Sequence, residues 1–227
     1  MQFRILICLG LFASLGFASF KISDLYHKNT SMQTIDIFAA VKSKNLEEIK
    51  LWLQTNADVN VQDESKNTPL HYATYLNHFE ICQLLLESGA NVNIQNSIQD
   101  SPFLYAGASG YTKLVELFLK HDADFSVYNR YGGTALIPAA EKGHIETVKL
   151  LCKTPNFPIN HVNRLGWTAL MEAVILSDGG KLHQDILKIL IEHGADASIP
   201  DHDGVAPLEH ANAKRYTKMV EILSRVQ

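Results

Sequence analysis

The chain has 227 residues, of which 46% are hydrophobic and 19% are charged, and its formal net charge is −4. This supplies ample apolar material for a folded core and excludes a disordered chain, which is poorer in apolar residues and richer in charge. Twenty basic residues against 24 acidic ones argue against a nucleic-acid-binding protein, which needs a concentrated positive patch. Three cysteines are too few for a disulfide scaffold or a cysteine-rich zinc module.

Residues 1–18 have the layout of a secretory signal peptide. Arg4 precedes an apolar run from Ile5 to Leu15, and Gly16 and Ala18 place small residues at a cleavage site. The run is shorter than the roughly 20 residues that a membrane-spanning helix needs. An uncleaved anchor and a buried N-terminal helix are the alternatives. Removal of residues 1–18 takes away only the charge of Arg4, so the exported chain would carry −5 and have no membrane attachment.

Residues 19–33 are polar and have neither helical nor strand periodicity, which is typical of a linker. The remainder repeats at an interval of about 33 residues. Equivalent positions are Thr68, Ser101, Thr134, Thr168 and Ala206. Counting back 33 residues from Thr68 reaches Ile35, so six units are predicted over 34–62, 63–95, 96–128, 129–162, 163–200 and 201–227.

Each unit after the first opens with a predicted turn. An Asp or Asn side chain can bond its own backbone there and start the turn; these residues are Asp63, Asn96, Asn129, Asn163 and Asp201. Three units then place glycine where a positive φ is favourable, at Gly132, Gly166 and Gly204. Lys66 and Gln99 take that position in the other two turns, which is expected either to strain or to loosen those tips.

Two helices are predicted to follow each turn. Thr or Ser is expected to cap the inner helix, and Pro69, Pro102 and Pro207 suit its first position because no N–H is needed there. The outer helix carries apolar residues at helical spacing, such as Ile81, Leu85 and Leu114. Small residues on the inner helix predict close packing between neighbouring units: Ala40, Ala73, Ala106, Ala139, Ala173 and Ala211.

Residues 68–93 read TPLHYATYLNHFEICQLLLESGANVN, and this phrase with its fixed recurrence resembles the ankyrin-repeat family. The resemblance covers residues 34–227. Residues 129–144 (NRYGGTALIPAAEKGH) and 166–180 (GWTALMEAVILSDGG) are similar to a subset of bacterial ankyrin proteins. The resemblance implies an all-α solenoid of six stacked helix–turn–helix units, with degenerate first and last units acting as caps. Ten residues, Leu176–Asp185, are expected to extend the turn between the two helices of the fifth unit.

The resemblance also implies that partners bind on a concave strip formed by turn tips and inner helices. Aromatic and Arg side chains carry much of the energy of protein interfaces. We therefore predict a partner-binding strip that comprises Tyr72, Tyr75, Tyr105, Arg130, Tyr131, Glu141, Arg164, Trp167 and Glu172.

Glu141 and Glu172 are expected to point toward the concave face, one repeat apart. Paired carboxylates can perform acid–base chemistry, or they can neutralise Arg130, Arg164 or Lys142 across the groove. An open groove does not exclude water easily, so the electrostatic or partner-binding role is favoured over a hydrolase.

The histidines and cysteines give no predicted metal or cofactor site. His71 and His144 fall on positions that serve repeat structure in the family, and no close His or Cys pair has the spacing of metal ligands. Cys82 and Cys152 fall on apolar positions of outer helices two units apart. Because helix layers pack about 8–10 Å apart, the two thiols are expected to be buried and too distant for a disulfide.

The predicted function is an exported, non-enzymatic scaffold in a bacterial periplasm, a monomer that binds another protein through its concave surface. It has no predicted cofactor, nucleic-acid ligand or catalytic residue. A small-molecule or cofactor carrier, for example for haem, is the alternative, supported by the segment 176–185 and the Tyr- and His-rich groove. A secreted effector is a more remote alternative.

Overall fold

The computed structural model describes residues 35–226, so the predicted signal peptide and linker lie outside the described residues. Twelve α-helices and no strands occur in this range, as six consecutive pairs of an inner and an outer helix. The inner helices are α1 (Ile37–Lys42), α3 (Pro69–Tyr75), α5 (Pro102–Ala108), α7 (Leu136–Glu141), α9 (Ala169–Ile175) and α11 (Pro207–Ala213). The outer helices are α2 (Leu46–Leu53), α4 (Phe79–Glu87), α6 (Thr112–Leu119), α8 (Ile145–Lys153), α10 (Lys181–Glu192) and α12 (Thr217–Leu223).

Each inner helix packs against the inner helix of the next unit, which makes a stack. The alanines that were predicted to allow this approach, from Ala40 to Ala211, are all fully buried. Apolar side chains of the outer helices fill the space between the layers, and Leu85, Leu114 and Phe118 have no exposed surface. The predicted all-α solenoid is therefore confirmed. Between residues 35 and 226, none of these helices has the length and apolar character needed to span a membrane.

The hairpin tips that precede the inner helices form as predicted. Asn129 Oδ1 accepts hydrogen bonds from the backbone N–H of Tyr131 at 2.9 Å and of Gly133 at 3.0 Å. Asn163 does the same for Leu165 and Trp167 at 2.9 and 3.0 Å. The Asp or Asn that opens each of the other tips makes an equivalent pair of bonds.

Of the strain or loosening expected at two of these tips, the structure shows strain. Gly132, Gly166 and Gly204 have φ of +73°, +82° and +78°, and Lys66 and Gln99 adopt a φ of +60° in the same position. A side chain in this region crowds its own backbone, at a cost of roughly 1–2 kcal/mol.

Thr or Ser caps three of the inner helices as predicted, and fails to cap α7. Thr168 Oγ1 accepts a hydrogen bond from Met171 N at 3.1 Å, and Ser101 Oγ accepts one from Leu104 N at 3.2 Å. In α7 the hydroxyl of Thr134 is buried and has no partner within the described chain. Pro138 has no N–H to donate to the Thr134 carbonyl, so this helix begins only at Leu136.

Residues 176–185 differ from the prediction of an extended turn. Only the first half is irregular, because α10 begins at Lys181 and runs for 12 residues. The added residues therefore lengthen the outer helix by about one turn. Tyr216 of the last unit donates a hydrogen bond from its hydroxyl to the carbonyl of Ser177 at 2.6 Å, which ties the irregular half to the neighbouring unit.

The two thiols of the described chain are buried, as predicted. Cys82 has no exposed surface and Cys152 is 7% exposed, and both are free. Burial raises the pKa of each thiol to about 12, so neither has thiolate character at neutral pH.

Candidate functional site

The groove between the inner helices and the hairpin tips contains two different surfaces. At the first units it is filled by aromatic rings. Tyr75 packs against Tyr105 with a centroid distance of 4.5 Å and against Tyr72 at 5.9 Å. Phe38 continues the row beyond Tyr72 at 5.9 Å.

The tyrosines of this aromatic row are less available to a partner than the sequence suggested. Tyr72 donates a hydrogen bond to Asp63 Oδ2 at 2.5 Å, and Tyr75 donates one to Asn67 Oδ1 at 2.9 Å. Burial raises the pKa of Tyr75 to about 12. All three rings of the predicted strip in this region are half-buried, because they pack on one another and brace the tips.

The aromatic row stops where small side chains follow it. Ala108 occupies in the third unit the position that Tyr75 has in the second, and Pro138 occupies in the fourth the position of Tyr105. The space left open is a cavity of about 400 Å³ between α5, α7, α9 and the tips. Five of the nine predicted partner-binding residues line it: Tyr105, Arg130, Tyr131, Glu141 and Glu172.

The remaining predicted residues lie away from this cavity. Tyr72 and Tyr75 belong to the aromatic row. Arg164 lines a different, shallower depression of about 520 Å³ on the tips, where its Nη1 donates a hydrogen bond to the carbonyl of Arg130 at 3.1 Å. Trp167, expected to be exposed, is half-buried. The structure therefore brings together the centre of the predicted strip and separates its ends.

One end of the cavity is acidic. Glu172 is 6% exposed, and its Oε1 accepts a hydrogen bond from Asn163 Nδ2 at 2.8 Å. Burial, followed by the negative charge of Glu141, raises the pKa of Glu172 to about 7. The two carboxyl groups predicted to lie together on this face thus do interact.

Around Asp100, the lining of the cavity holds charges of both signs. Burial raises the pKa of Asp100, and the positive charges of Arg130 and Lys142 oppose that effect. Lys142 Nζ donates a hydrogen bond to the carbonyl of Ala108 at 3.1 Å. The Arg130 guanidinium lies 5.0 Å from the centroid of the Tyr131 ring. Both cations therefore act on Asp100 through their charge, and among the described residues neither forms an ion pair with it within 4.0 Å.

The predicted neutralisation of Glu141 and Glu172 is not found. Within residues 35–226, neither carboxylate has a Lys, Arg or His nitrogen within 4.0 Å. Lys142 is bonded to the carbonyl of Ala108, the Arg130 guanidinium lies by the Tyr131 ring, and Arg164 bonds to a neighbouring tip. The acidic end therefore has no positive charge of its own.

Several lining residues were missed by the sequence reasoning. Ile98 and Asp100 line the cavity beside Tyr105. Ile98, Tyr131 and Leu165 occupy the same position in three successive tips, with exposures of 54%, 51% and 46%. Ile98 could have been found from the sequence, because aligning the units by their opening Asp or Asn places it in register with Tyr131 and Leu165.

The histidines have structural contacts. His71 forms a capping box with Thr68, and its Nε2 lies 3.2 Å from the carbonyl oxygen of Asp100 in the next unit. Burial lowers its pKa, which favours the neutral ring. No group of three or more His, Cys, Asp or Glu residues between positions 35 and 226 is arranged to hold a metal ion.

Comparison with known proteins places these repeats in a family. A model described as ankyrin repeats (3 copies) matches residues 103–201, and one described as ankyrin repeats (many copies) matches residues 37–86 and 75–119. The chain is 40% identical over 65 residues to YahD of Escherichia coli (strain K12), named for its ankyrin repeats. That match spans 29% of this chain and only about a third (32%) of the relative.

Two solved structures agree over most of the chain. The ankyrin repeat protein EF0377 is 45% identical, with a TM-score of 0.83 over 86% of this chain and 99% of that one. An ankyrin repeat domain from Acinetobacter baumannii AYE is 43% identical, with a TM-score of 0.81 over 84% and 96%. Ankyrin repeats typically mediate protein–protein interaction, and these scaffolds are generally not enzymes. This chain belongs to the ankyrin-repeat family.

Proposed function

We propose that the protein is an exported, non-enzymatic scaffold that acts as a monomer in a bacterial periplasm and binds another protein. The surface used is the groove around the cavity in the third to fifth units. The proposal rests on two features that occur together in these units, an apolar row of tip side chains and a cavity. Exposed apolar side chains at the tips border a cavity lined by five of the residues predicted to bind a partner.

The physical mechanism is recognition by a rigid surface. The tips are held by paired side-chain and backbone hydrogen bonds, and the inner helices are locked by buried alanines. A partner that docks on such a surface orders few additional groups, so little of the contact energy is lost to conformational entropy. Exposed Tyr and apolar side chains next to a concavity are typical of the residues that anchor a partner.

The test is site-specific photo-crosslinking in the native host. A photoreactive phenylalanine derivative at Tyr131 is expected to capture a discrete partner in the exported fraction. The same group at Phe79, which is 43% exposed on outer helix α4, is the matched control and is expected to capture none. Equal products from both positions, or none from Tyr131, would contradict the proposal.

Export is tested separately from binding. N-terminal sequencing of the protein from the periplasmic fraction is expected to begin at Ser19, because cleavage follows Ala18 in the proposed leader. A chain that begins at Met1 in the cytosolic fraction would refute this part of the proposal.

A small-molecule carrier is the second candidate. The cavity of about 400 Å³ lies within the roughly 300–1,000 Å³ range of small-ligand pockets. Titration of the purified protein with haem, followed by absorbance spectroscopy, distinguishes this function: a saturable Soret shift that is lost in Tyr105→Phe/Tyr131→Phe would support it over protein binding.

A further inference from the structure

An apolar row runs along the tips of only the central units. The third position of successive tips is occupied by Ser65, Ile98, Tyr131, Leu165 and Asp203. The three central members are apolar and about half exposed, whereas the first and last are polar. An isolated exposed apolar residue needs no explanation, but three in register give one edge of the groove an apolar character.

The cavity opens beside this apolar edge. The backbone N–H of Ser97 donates to the carbonyl of Ser65 at 2.9 Å, and that of Arg164 donates to Tyr131 at 2.8 Å. The first bond joins the tip of the second unit to the tip of the third unit, and the second bond joins the tips of the fourth and fifth units. Among the described residues, no equivalent bond joins Arg130 N to Ile98 O, and none joins His202 N to Leu165 O. Ile98 and Tyr131 line the cavity on the two sides of the first of these interruptions.

One role of the Glu172 side chain is structural, since it bonds the residue that opens its own tip. Its position in the unit is equivalent to Tyr72 and His210, which contact the acidic residues Asp63 and Asp201 at the start of their tips at 2.5 and 2.6 Å. Glu172 makes the corresponding contact with Asn163 through Oε1. An amide or hydroxyl group would serve this purpose without bringing a carboxyl group into the interior.

The other carboxylate oxygen of Glu172 has no such role. Within the described chain, Oε2 accepts no hydrogen bond and is not fully buried. It therefore stays open to the cavity, although the side chain as a whole is more than nine-tenths buried. Glu141 lines the same end, and no cation pairs with either group. A buried carboxyl group without a counter-charge is costly, so this arrangement is well suited to a cation that arrives with a ligand.

We propose that this cavity receives the side chain of a Lys or Arg residue of the partner protein, with its head group between Glu141 and Glu172 and its aliphatic stem against Ile98 and Tyr131. The inference rests on the proposed function and adds the chemistry of the anchoring residue. Long cationic side chains combine an apolar stem with a charged end, and the cavity presents complementary surfaces in that order from rim to interior.

The cations already present do not compete for the acidic end. Arg130 is held over the Tyr131 ring and Lys142 by the carbonyl of Ala108, both near Asp100. A metal ion is a poorer occupant, because only two carboxylates and one amide converge there and no group of three candidate ligands is found between residues 35 and 226.

The test is an NMR titration of the full mature chain with blocked tripeptides at about pH 8, where Glu172 is ionised. Acetyl-Leu-Arg-Leu-amide is expected to shift the amide resonances of Gly133, Glu141 and Asn163 in a saturable manner. The peptide with citrulline in place of Arg has nearly the same shape without the charge. It should bind about tenfold or more weakly, since burial of an unpaired carboxylate is not relieved.

Three variants identify the groups responsible. Glu172→Gln and Glu141→Gln are each expected to weaken binding of the Arg peptide by about tenfold or more. Glu146→Gln is the matched control, because Glu146 is exposed on α8 and pairs with Lys149 at 2.8 Å, and it should bind as the wild type does. Because Glu141 is half-exposed, its variant keeps the test valid if Glu172→Gln folds poorly.

Each other result overturns the inference. Equal binding of the Arg and citrulline peptides, wild-type affinity in both Gln variants, or no saturable shift with the Arg peptide would exclude a cation pocket. Saturation of the same resonances by Ca²⁺ or Zn²⁺ alone, with loss of peptide binding, would assign a metal instead. A wild-type dimer in sedimentation experiments that Glu141→Gln/Glu172→Gln dissociates would assign a second copy of the chain as occupant.

The outcome separates the two proposals. If Tyr131 cross-links a partner and the Arg peptide does not bind, protein binding stands and the cation pocket fails. If the peptide binds and depends on Glu172, but no partner is captured, the pocket stands and the scaffold function fails.

Discussion

Thr134 and Thr168 show how one residue changes role with its sequence neighbours. Both occupy the capping position of an inner helix, but Pro138 follows Thr134 four residues later and removes the N–H that would bond its carbonyl. Thr168 caps α9 through its hydroxyl, whereas the Thr134 hydroxyl is buried with no partner in the described chain.

This difference predicts opposite effects of one substitution. Thr134→Val replaces an unsatisfied hydroxyl by a methyl group and is expected to raise the free energy of unfolding by about 1 kcal/mol. Thr168→Val removes a cap and is expected to lower it by about 1 kcal/mol. Urea denaturation of both variants measures the two changes, and a destabilised Thr134→Val would show that its hydroxyl has a partner in solution.

Glu172 predicts a pH-dependent stability. Burial, and then the charge of Glu141, raise its pKa from 4.5 to about 7. Between these values the unfolded chain has lost a proton that the folded chain retains. The contribution of this group to the free energy of unfolding therefore falls as pH rises through that window, and levels off above about pH 7.

The variant Glu172→Gln removes this effect while retaining an oxygen for the Asn163 amide. We expect it to be more stable than the wild type at about pH 8, by an amount on the order of 2 kcal/mol, and similar in stability at about pH 4. Urea denaturation at both pH values measures the difference, with Glu146→Gln as the exposed control. A Gln variant that loses stability at the higher pH would mean that the carboxylate has an unrecognised partner.

At the scale of elements, small residues determine where helices approach and where space remains. Gly107 in α5 lies against Ala135 of the next unit, and a Cβ added there would stand 2.6 Å from Ala135 Cβ and 3.1 Å from its carbonyl oxygen. Ala108 and Pro138, by contrast, leave the cavity open. A small residue thus permits close packing at Gly107 and leaves an open groove at Ala108.

Gly107→Ala tests which effect dominates at this contact. In an exposed helix the change would stabilise by up to about 1 kcal/mol through helix propensity, but here the opposing atoms belong to the backbone or to Cβ and cannot move aside. We expect a net loss of about 1–3 kcal/mol, seen as a lower melting temperature by circular dichroism. Asn212→Ala, exposed on α11, gains propensity without a clash and should not be destabilised; a stabilised Gly107→Ala would mean that the stack relaxes at this point.

Part of this element-level organisation was predictable. Asn129 and Asn163 predict their tips, because the side chain of an Asn or Asp residue can bond the backbone within five residues. Ala139 and Ala173 predict the closely packed inner helices. The path of residues 176–185 was not predictable from the repeat period. Their length shows that residues are added but not whether these form loop or helix, which depends on contacts such as that of Tyr216 with Ser177.

At the scale of the molecule, the net negative charge is less informative than its distribution. Arg130 and Lys142 act on Asp100, whereas Glu141 and Glu172, which line the same cavity, have no ion-pair partner among the described residues. The aromatic row occupies the groove in the first units, so the open surface lies in the third to fifth. Nine residues were predicted to form the partner-binding strip, and five of them line the central cavity.

The repeat, the inner and outer helices and the burial of Cys82 and Cys152 follow from the amino-acid sequence, because they depend on local turn chemistry and on periodic apolar positions. The sequence also indicated that Glu141 and Glu172 face the same groove. Which of the groove side chains remain available to a partner depends on how the units pack. Packing between units places Phe38 on Tyr72 and Tyr75 on Tyr105 and bonds Lys142 to the Ala108 carbonyl, and these contacts join residues 30 or more positions apart. Local periodicity does not specify such contacts.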